Sequence, residues 1–190
     1  MSATSQLRRV NFYAGAGAGK STTAAWLFSE LKRRGKSVEL VMEYIKAWAY
    51  IDRKPRSFDQ VYVFGKQLHA EDRILSSGVE CVVTDSPLLL SPVYSSLYGG
   101  QLIASHLYGI AKAFEEQFPS VNIYLMRGNK PYIQQGRWGS RAEAENVDKM
   151  VLEFLRNAGI EPLVVDWDDL DTILNHVLRS LTLQPGPPML

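Results

Sequence analysis

Lys20, Ser21 and Thr22 come directly after the run Ala14-Gly15-Ala16-Gly17-Ala18-Gly19 and open the alanine-rich stretch Thr23-Ala24-Ala25-Trp26-Leu27. An ammonium group and two hydroxyls behind alternating glycines are suited to phosphate. Glycines let consecutive backbone N–H groups turn toward one anion, and the N-terminus of a following helix adds partial positive charge. On this reading Gly15, Ala16, Gly17, Ala18, Gly19, Lys20, Ser21 and Thr22 cradle the phosphates of a nucleotide. Lys20 reaches the β- and γ-phosphates, and the Ser21 hydroxyl ligates Mg²⁺. The first glycine of the P-loop pattern G-x-x-x-x-G-K-[S/T] is replaced by Ala14, which is tolerable where φ is negative. The dinucleotide pattern G-x-G-x-x-G is absent, because Lys20 and Thr22 stand where its last glycine is needed.

Three further groups complete a possible site. Val79-Glu80-Cys81-Val82-Val83-Thr84-Asp85-Ser86-Pro87 is an apolar run closed by an acid, the position from which a carboxylate reaches Mg²⁺ directly or through water. Val38 to Met42 reads as a strand that delivers Glu43 and Tyr44 to its C-terminal end, the edge where ligands sit in an open α/β sheet. Pro131 to Arg141 is a glycine-bracketed loop carrying Arg137 and Arg141. A mobile segment with arginines can neutralise charge on a transferring phosphoryl group and keep water away. Asn129-Lys130-Pro131-Tyr132 begins like the guanine-reading N-K-x-D, but Tyr132 occupies the aspartate position.

Between Tyr44 and Arg56, aromatic and cationic side chains alternate, among them Tyr44, Trp48, Tyr50 and Arg53. Such a mixture suits stacking on a base and holding a phosphate or strand backbone, and equally suits a solvated basic turn beside core aromatics.

These groups need a scaffold that brings strand ends together. Five β-type runs, at Arg9–Tyr13, Val38–Met42, Val79–Val83, Val121–Arg127 and Pro162–Asp166, alternate with helical patterns, which predicts a parallel sheet covered on both faces. The helix after the cradle ends at Lys32-Arg33-Arg34 before Gly35. Ser57-Phe58-Asp59-Gln60 and Ser140-Arg141-Ala142-Glu143 have the form of capping boxes. Leu88 to Tyr94 and a helix from about Gln101 to Phe118 read as structural, and Asp169 to Leu181 as a closing helix.

A length of 190 residues fits one domain able to bury a core without disulfides. The expected organisation is a single domain over 1–183, a lid at about 128–141, and a flexible tail over 184–190. Net charge is +1, which argues against a surface that coats nucleic acid but leaves room for a local basic patch. Cys81, the single cysteine, has no partner within the chain, so a reducing, cytoplasmic setting is expected. No run approaches a membrane span and no signal-peptide core precedes the first strand. His69, His106 and His176 lack metal-ligand spacing.

With these residues in view, the chain resembles the P-loop nucleoside and nucleotide kinases. The likeness rests on AGAGAGKST, the strand ends at Glu43-Tyr44 and Asp85-Ser86, and the lid-like Tyr132-Ile133-Gln134-Gln135-Gly136-Arg137. The stretch continuing to Ala142-Glu143-Ala144-Glu145-Asn146-Val147-Asp148 is similar to small phage-encoded members, in particular the 5-hydroxymethyluracil DNA kinases, and more loosely to the nicotinamide riboside kinases. The resemblance implies a P-loop NTPase fold, α/β, with five parallel strands in the order 2-3-1-4-5. It implies ATP and Mg²⁺ as cofactors. Lys20 and Arg137 would hold the transferring phosphoryl, Ser21 and Asp85 the metal, and Glu43 the acceptor hydroxyl. The implied acceptor is a hydroxymethylated pyrimidine within DNA, in host cytoplasm if the gene is a phage's, with Tyr44, Trp48, Tyr50, Arg53 and Arg141 as its contacts. A kinase of free nucleosides or nucleoside monophosphates shares every catalytic residue, and an ATP-binding switch without an acceptor shares the cradle.

Overall fold

Alternation along the strands decides which helices cover which face. A computed structural model describes residues 8–182 apart from positions 57, 99 and 130. It contains β1 (Arg9–Tyr13), α1 (Lys20–Arg33), β2 (Val38–Val41), α2 (Lys46–Ala49), α3 (Asp59–Ser76), β3 (Cys81–Thr84), α4 (Leu90–Leu97), α5 (Gln101–Gln117), β4 (Ser120–Met126), α6 (Arg141–Asn157), β5 (Leu163–Asp166) and α7 (Leu170–Thr182). Val10, Phe12, Val83 and Ile123 pack with Leu27 and Leu31 of α1 and Ile173 and Val177 of α7. Their alternate neighbours Tyr13, Val82 and Tyr124 pack with Phe64 of α3, Val93 of α4, Leu107 of α5 and Val151 of α6. Both faces of the central strands are therefore covered, as in a sandwiched parallel sheet, and the second face also buries the polar Arg9, Asn11 and Thr84.

All strand pairings are parallel and the order is β2-β3-β1-β4-β5, as expected. β1 lies between β3 and β4, with Asn11 opposite both Thr84 and Asn122. This order sets the end of β3 beside the glycine loop after β1, and the end of β2 one strand farther out.

At the opposite end of the sheet a buried polar knot ties α3 and α5 to β1. Arg9 reaches Glu71 at 3.0 Å and Glu115 at 2.9 Å. Gln67 donates to both Glu71 and Thr84, at 2.8 and 3.0 Å. Every strong donor and acceptor in it has a partner, as buried charge requires.

Some local expectations change. Ser140 and Glu143 form the predicted capping box on α6, but α3 starts at Asp59 behind Phe58, which provides no side-chain cap. The Ser57 part of the other proposed box, Lys130 of the N-K-x-D comparison, and the tail over 184–190 lie outside the described residues. The stretch read only as structural contains a helix, Leu90–Leu97. Pro92 sits in its first turn, where no intrahelical N–H bond is needed, so the proline does not prevent it. No described helix is long and apolar enough to cross a membrane.

Candidate active site

The glycine loop between β1 and α1 is shaped by the residues that surround it. Gly17 and Gly19 have φ of 79° and 109°, a region open to glycine and strained for other residues. They also have no room for a side chain. A Cβ on Gly17 would lie 3.0 Å from the Tyr132 ring, and one on Gly19 would lie 3.0 Å from Trp167. Asp52 is the only non-glycine described residue with positive φ, so Ala14 meets the condition for replacing the first glycine of the pattern. Gly19 precedes α1 without capping it by a side chain, which leaves the first turn's N–H groups available to an anion.

Lys20 folds back over the loop, donating from Nζ to the carbonyls of Ala14 and Gly15 at 2.8 and 3.0 Å. Burial pulls its ammonium below the ordinary lysine value, against the fields of Glu43 and Asp85. The Ser21 hydroxyl donates to Asp85 Oδ2. Asp85 Oδ1 accepts from the backbone N–H of Glu43 at 2.7 Å, so the end of β3 fixes the end of β2. Both oxygens of Asp85 are thereby occupied, whereas no described residue hydrogen-bonds the Glu43 carboxylate. Burial raises the Glu43 carboxyl above its ordinary value, against the pull of Lys20.

Lys20, Ser21 and Glu43 face one cavity of about 550 Å³, with Asp85 buried behind Ser21. The cavity floor is Ala16, Gly17 and Gly19 to Thr22. One side is Glu43, Ile45 and Lys46, another is Leu90, Tyr94 and Tyr98 on and after α4, and Arg137 and Trp138 close over it from the β4–α6 segment. Volumes of this size hold small organic ligands. The guanidinium of Arg137 stands 5.1 Å from the centre of the Tyr132 ring, while its Nε lies 3.2 Å from where a Gly17 Cβ would be. Tyr132 is pinned by its hydroxyl donating to Gly139 O at 2.7 Å. Lys20 with Ser21, Glu43, Asp85 and Arg137, read from four separate stretches of sequence, are thus neighbours in space.

The aromatic and cationic residues predicted to contact an acceptor lie outside this cavity. None of the five lines the cavity. Trp48 is 7% exposed and packs with Ile45 and Val63. Arg53 lies 3.6 Å over its ring, and Tyr62 stacks at 6.3 Å, so the ring has no free face for a base. Arg53 also pairs with Asp59 at 3.2 Å. The Tyr44 hydroxyl shares a 2.8 Å hydrogen bond with Tyr62. Tyr50 backs the loop at Gly136, where a Cβ would come within 2.8 Å of it. Arg141 points outward in an exposed pair with Glu145 at 2.7 Å, one helical turn along α6.

Sequence reading missed a bracket that holds the glycine loop. Asp148 of α6 accepts from Gly15 N at 2.5 Å and from Arg127 Nε at 2.6 Å, and Arg127 Nη1 donates to Ala16 O at 3.1 Å. The available signal was an acid beside the buried stripe Ala144, Val147, Val151 of an otherwise exposed helix. Tyr94 and Trp138 were also missed, the first because Leu88–Tyr94 reads as plain core. Among the described residues, no group of three or more His, Cys, Asp or Glu gathers as a metal site.

A family model described as an AAA domain (AAA_28) matches residues 9–172, and the chain belongs to that family. No curated protein matches it. Among solved structures, a NadR protein in complex with NR is similar with a TM-score of 0.70 at 15% identity, over 97% of this chain and 54% of the other. NadR in complex with NAD and AMP-PNP gives 0.66 at 17%, over 97% and 52%. Deoxyadenosine kinase from M. mycoides with bound dATP gives 0.57 at 20%, over 92% and 99%. The chain spans about half the length of the NadR chains. At these identities the likeness is one of fold, a five-stranded parallel sheet in the order β2-β3-β1-β4-β5 behind a glycine loop.

Proposed function

We propose that the protein is an ATP-dependent kinase that transfers the γ-phosphoryl group to a hydroxyl on a nucleoside-type, pyrimidine-bearing acceptor. One observation carries this reading: an uncapped glycine cradle and an unpaired carboxylate, Glu43, face a single cavity of nucleoside size. A cradle alone binds nucleotide. A separate carboxylate beside apolar walls provides for a second substrate.

The backbone of Gly15 to Thr22 would hold the triphosphate, and Lys20 would leave the Ala14 and Gly15 carbonyls for phosphate oxygens. The paired oxygens of Ser21 and Asp85 suit Mg²⁺, which usually relies on one or two carboxylates plus substrate phosphates. When bound, the ion neutralises charge on the phosphates. Glu43, with no competing hydrogen bond, would accept the proton of the acceptor hydroxyl as that oxygen bonds to the γ-phosphorus and the bond to the bridging oxygen of ADP breaks. Arg137 would stabilise the negative charge on the phosphoryl oxygens, and Tyr132 and Trp138 would keep water out. Positioning and charge neutralisation supply most of such catalysis.

A hydroxymethyluracil base within DNA is the finer reading, and the exposed stretch flanking the cavity residues Lys54 and Pro55 supports it. Tyr50, Ile51 and Phe58 are exposed apolar groups close in sequence to Lys54 and Arg56. A base in a duplex must first leave the stack, at a cost of a few kcal/mol. Incubation with labelled ATP, 5-hydroxymethyl-2′-deoxyuridine, 2′-deoxyadenosine and hydroxymethyluracil DNA separates the acceptors. Label in the polymer, falling steeply with salt, supports the DNA acceptor. Label on the nucleosides alone removes it. Failure of Mg·ATP to bind by calorimetry removes the kinase reading entirely.

A further inference from the structure

Arg137 and Trp138 are consecutive, yet they attach to opposite sides of the cavity. Arg137 lies against Gly17 of the phosphate cradle and beside the Tyr132 ring. Trp138 packs on the Ile45, Trp48 and Val63 cluster, on the side of the cavity that Glu43 and Ile45 form. Each also carries a buried donor with no hydrogen-bond partner among the described residues, Arg137 Nη1 and Trp138 Nε1. A buried N–H without a partner is destabilising and rare, so each such group calls for an explanation, and a ligand that completes it is one.

We infer that Trp138 is a specificity residue for the acceptor: its indole N–H donates a hydrogen bond to a carbonyl oxygen or ring nitrogen of the acceptor's base. This rests on the kinase reading of the cavity and deepens it. The chemistry narrows the ligand. Near Trp138 the lining includes Ile45 and Val63, with Glu43 the carboxylate of the same wall, so the side chains offer an apolar bed, one donor for the base and one acceptor for the hydroxyl. A base with a hydrogen-bond acceptor on its edge fits this set, and a purely hydrocarbon ring leaves the indole N–H buried and unpaired. Because the two residues are adjacent, one short loop touches both the acceptor side of the cavity and the phosphate cradle.

Trp138→Phe removes the donor and keeps an aromatic ring against Ile45, Trp48 and Val63. The expected result is a rise of about tenfold in KM for the acceptor, the equivalent of one lost hydrogen bond. Its kcat and KM for ATP should stay within about twofold of wild type, which a general packing defect would not allow. An independent readout uses the wild-type protein, labelled with ¹⁵N at its tryptophans, with Trp138→Phe assigning the resonance. After saturation with Mg·AMP-PNP, addition of 5-hydroxymethyl-2′-deoxyuridine or 2′-deoxyadenosine should move the Trp138 indole proton downfield. An unmoved Trp138 signal with both nucleosides, or an unchanged acceptor KM in Trp138→Phe, overturns the inference. A spectrum that Mg·AMP-PNP itself leaves unchanged removes the kinase reading on which it rests, and is recognisable because the resonances near the cradle, including Trp167, then fail to respond as well.

Discussion

The Asp148 carboxylate on α6 accepts a hydrogen bond from the backbone N–H of Gly15 at 2.5 Å, so the helix that follows the β4–α6 loop is fastened directly to the phosphate cradle. The contact is close enough that a Cβ on Gly15 would lie 2.9 Å from Asp148 Oδ1. Its other oxygen holds Arg127, which in turn holds the Ala16 carbonyl. The N–H of Gly15 and the C=O of Ala16 are therefore gripped by one ion pair.

Removing the acid should loosen the loop and strand a buried guanidinium. The side chains of Arg127 and Asp148 are only 10% and 14% exposed, so Asp148→Ala is expected to lower stability by about 3 kcal/mol in urea denaturation. kcat/KM for ATP should fall by about a hundredfold, the scale of a misplacement near 1 Å. Asp148→Asn keeps an acceptor for Gly15 and should lose much less. Equal losses in the two variants would show that charge, not the bond to Gly15, matters.

Lys20 lies buried over the cradle, and burial pulls its ammonium below the usual lysine value. Lys20→Ala is thus expected to abolish phosphoryl transfer while the thermal midpoint stays within about 3 °C of wild type. Asp85→Asn, which weakens the oxygen pair with Ser21, should raise the Mg²⁺ concentration needed for half-maximal activity by about tenfold. A titration of initial rate against Mg²⁺ measures this, and an unchanged requirement would assign the metal to a different carboxylate.

Trp48 and Tyr50, two residues apart, separate packing from surface. Trp48 is enclosed by Ile45, Val63, Arg53 and Tyr62, so Trp48→Ala is expected to destabilise the fold by about 3 to 5 kcal/mol. Tyr50→Ala should cost far less in global stability and instead disturb the loop at Gly136, visible as a lowered kcat. Comparable denaturation midpoints for the two variants would contradict this division.

The contrast also shows what a sequence can reveal. The cradle was legible because its chemistry is carried by consecutive backbone groups, and the strand order followed from the resemblance those groups established. Asp85 and Glu43 were legible because both close apolar runs, and parallel strands deliver their last residues to one edge. Trp48 was not legible, because alternating aromatic and basic residues have the same pattern whether a ring is covered by its own arginine or offered to a base. Asp148 and Trp138 depend on contacts with residues 133 and 93 positions earlier, Gly15 and Ile45, which no local spacing encodes.

Glu43 yields the most direct pH test. Its carboxyl is raised above the ordinary glutamate value, chiefly by burial and in spite of Lys20 nearby. A general base works only when ionised, so activity should rise with pH through this raised value, and the acid limb of kcat/KM should lie above the value of about 4.3 for an unperturbed glutamate. Binding of Mg·ATP draws Lys20 toward phosphate and weakens its pull on Glu43, which moves the acid limb of kcat higher than that of kcat/KM for ATP. Glu43→Gln should eliminate the limb and reduce kcat by about 10² to 10⁴, with nucleotide affinity by calorimetry nearly unchanged. If the acid limb persists in Glu43→Gln, the proton goes to Asp85, and the free carboxylate at the end of β2 serves only to hold the acceptor.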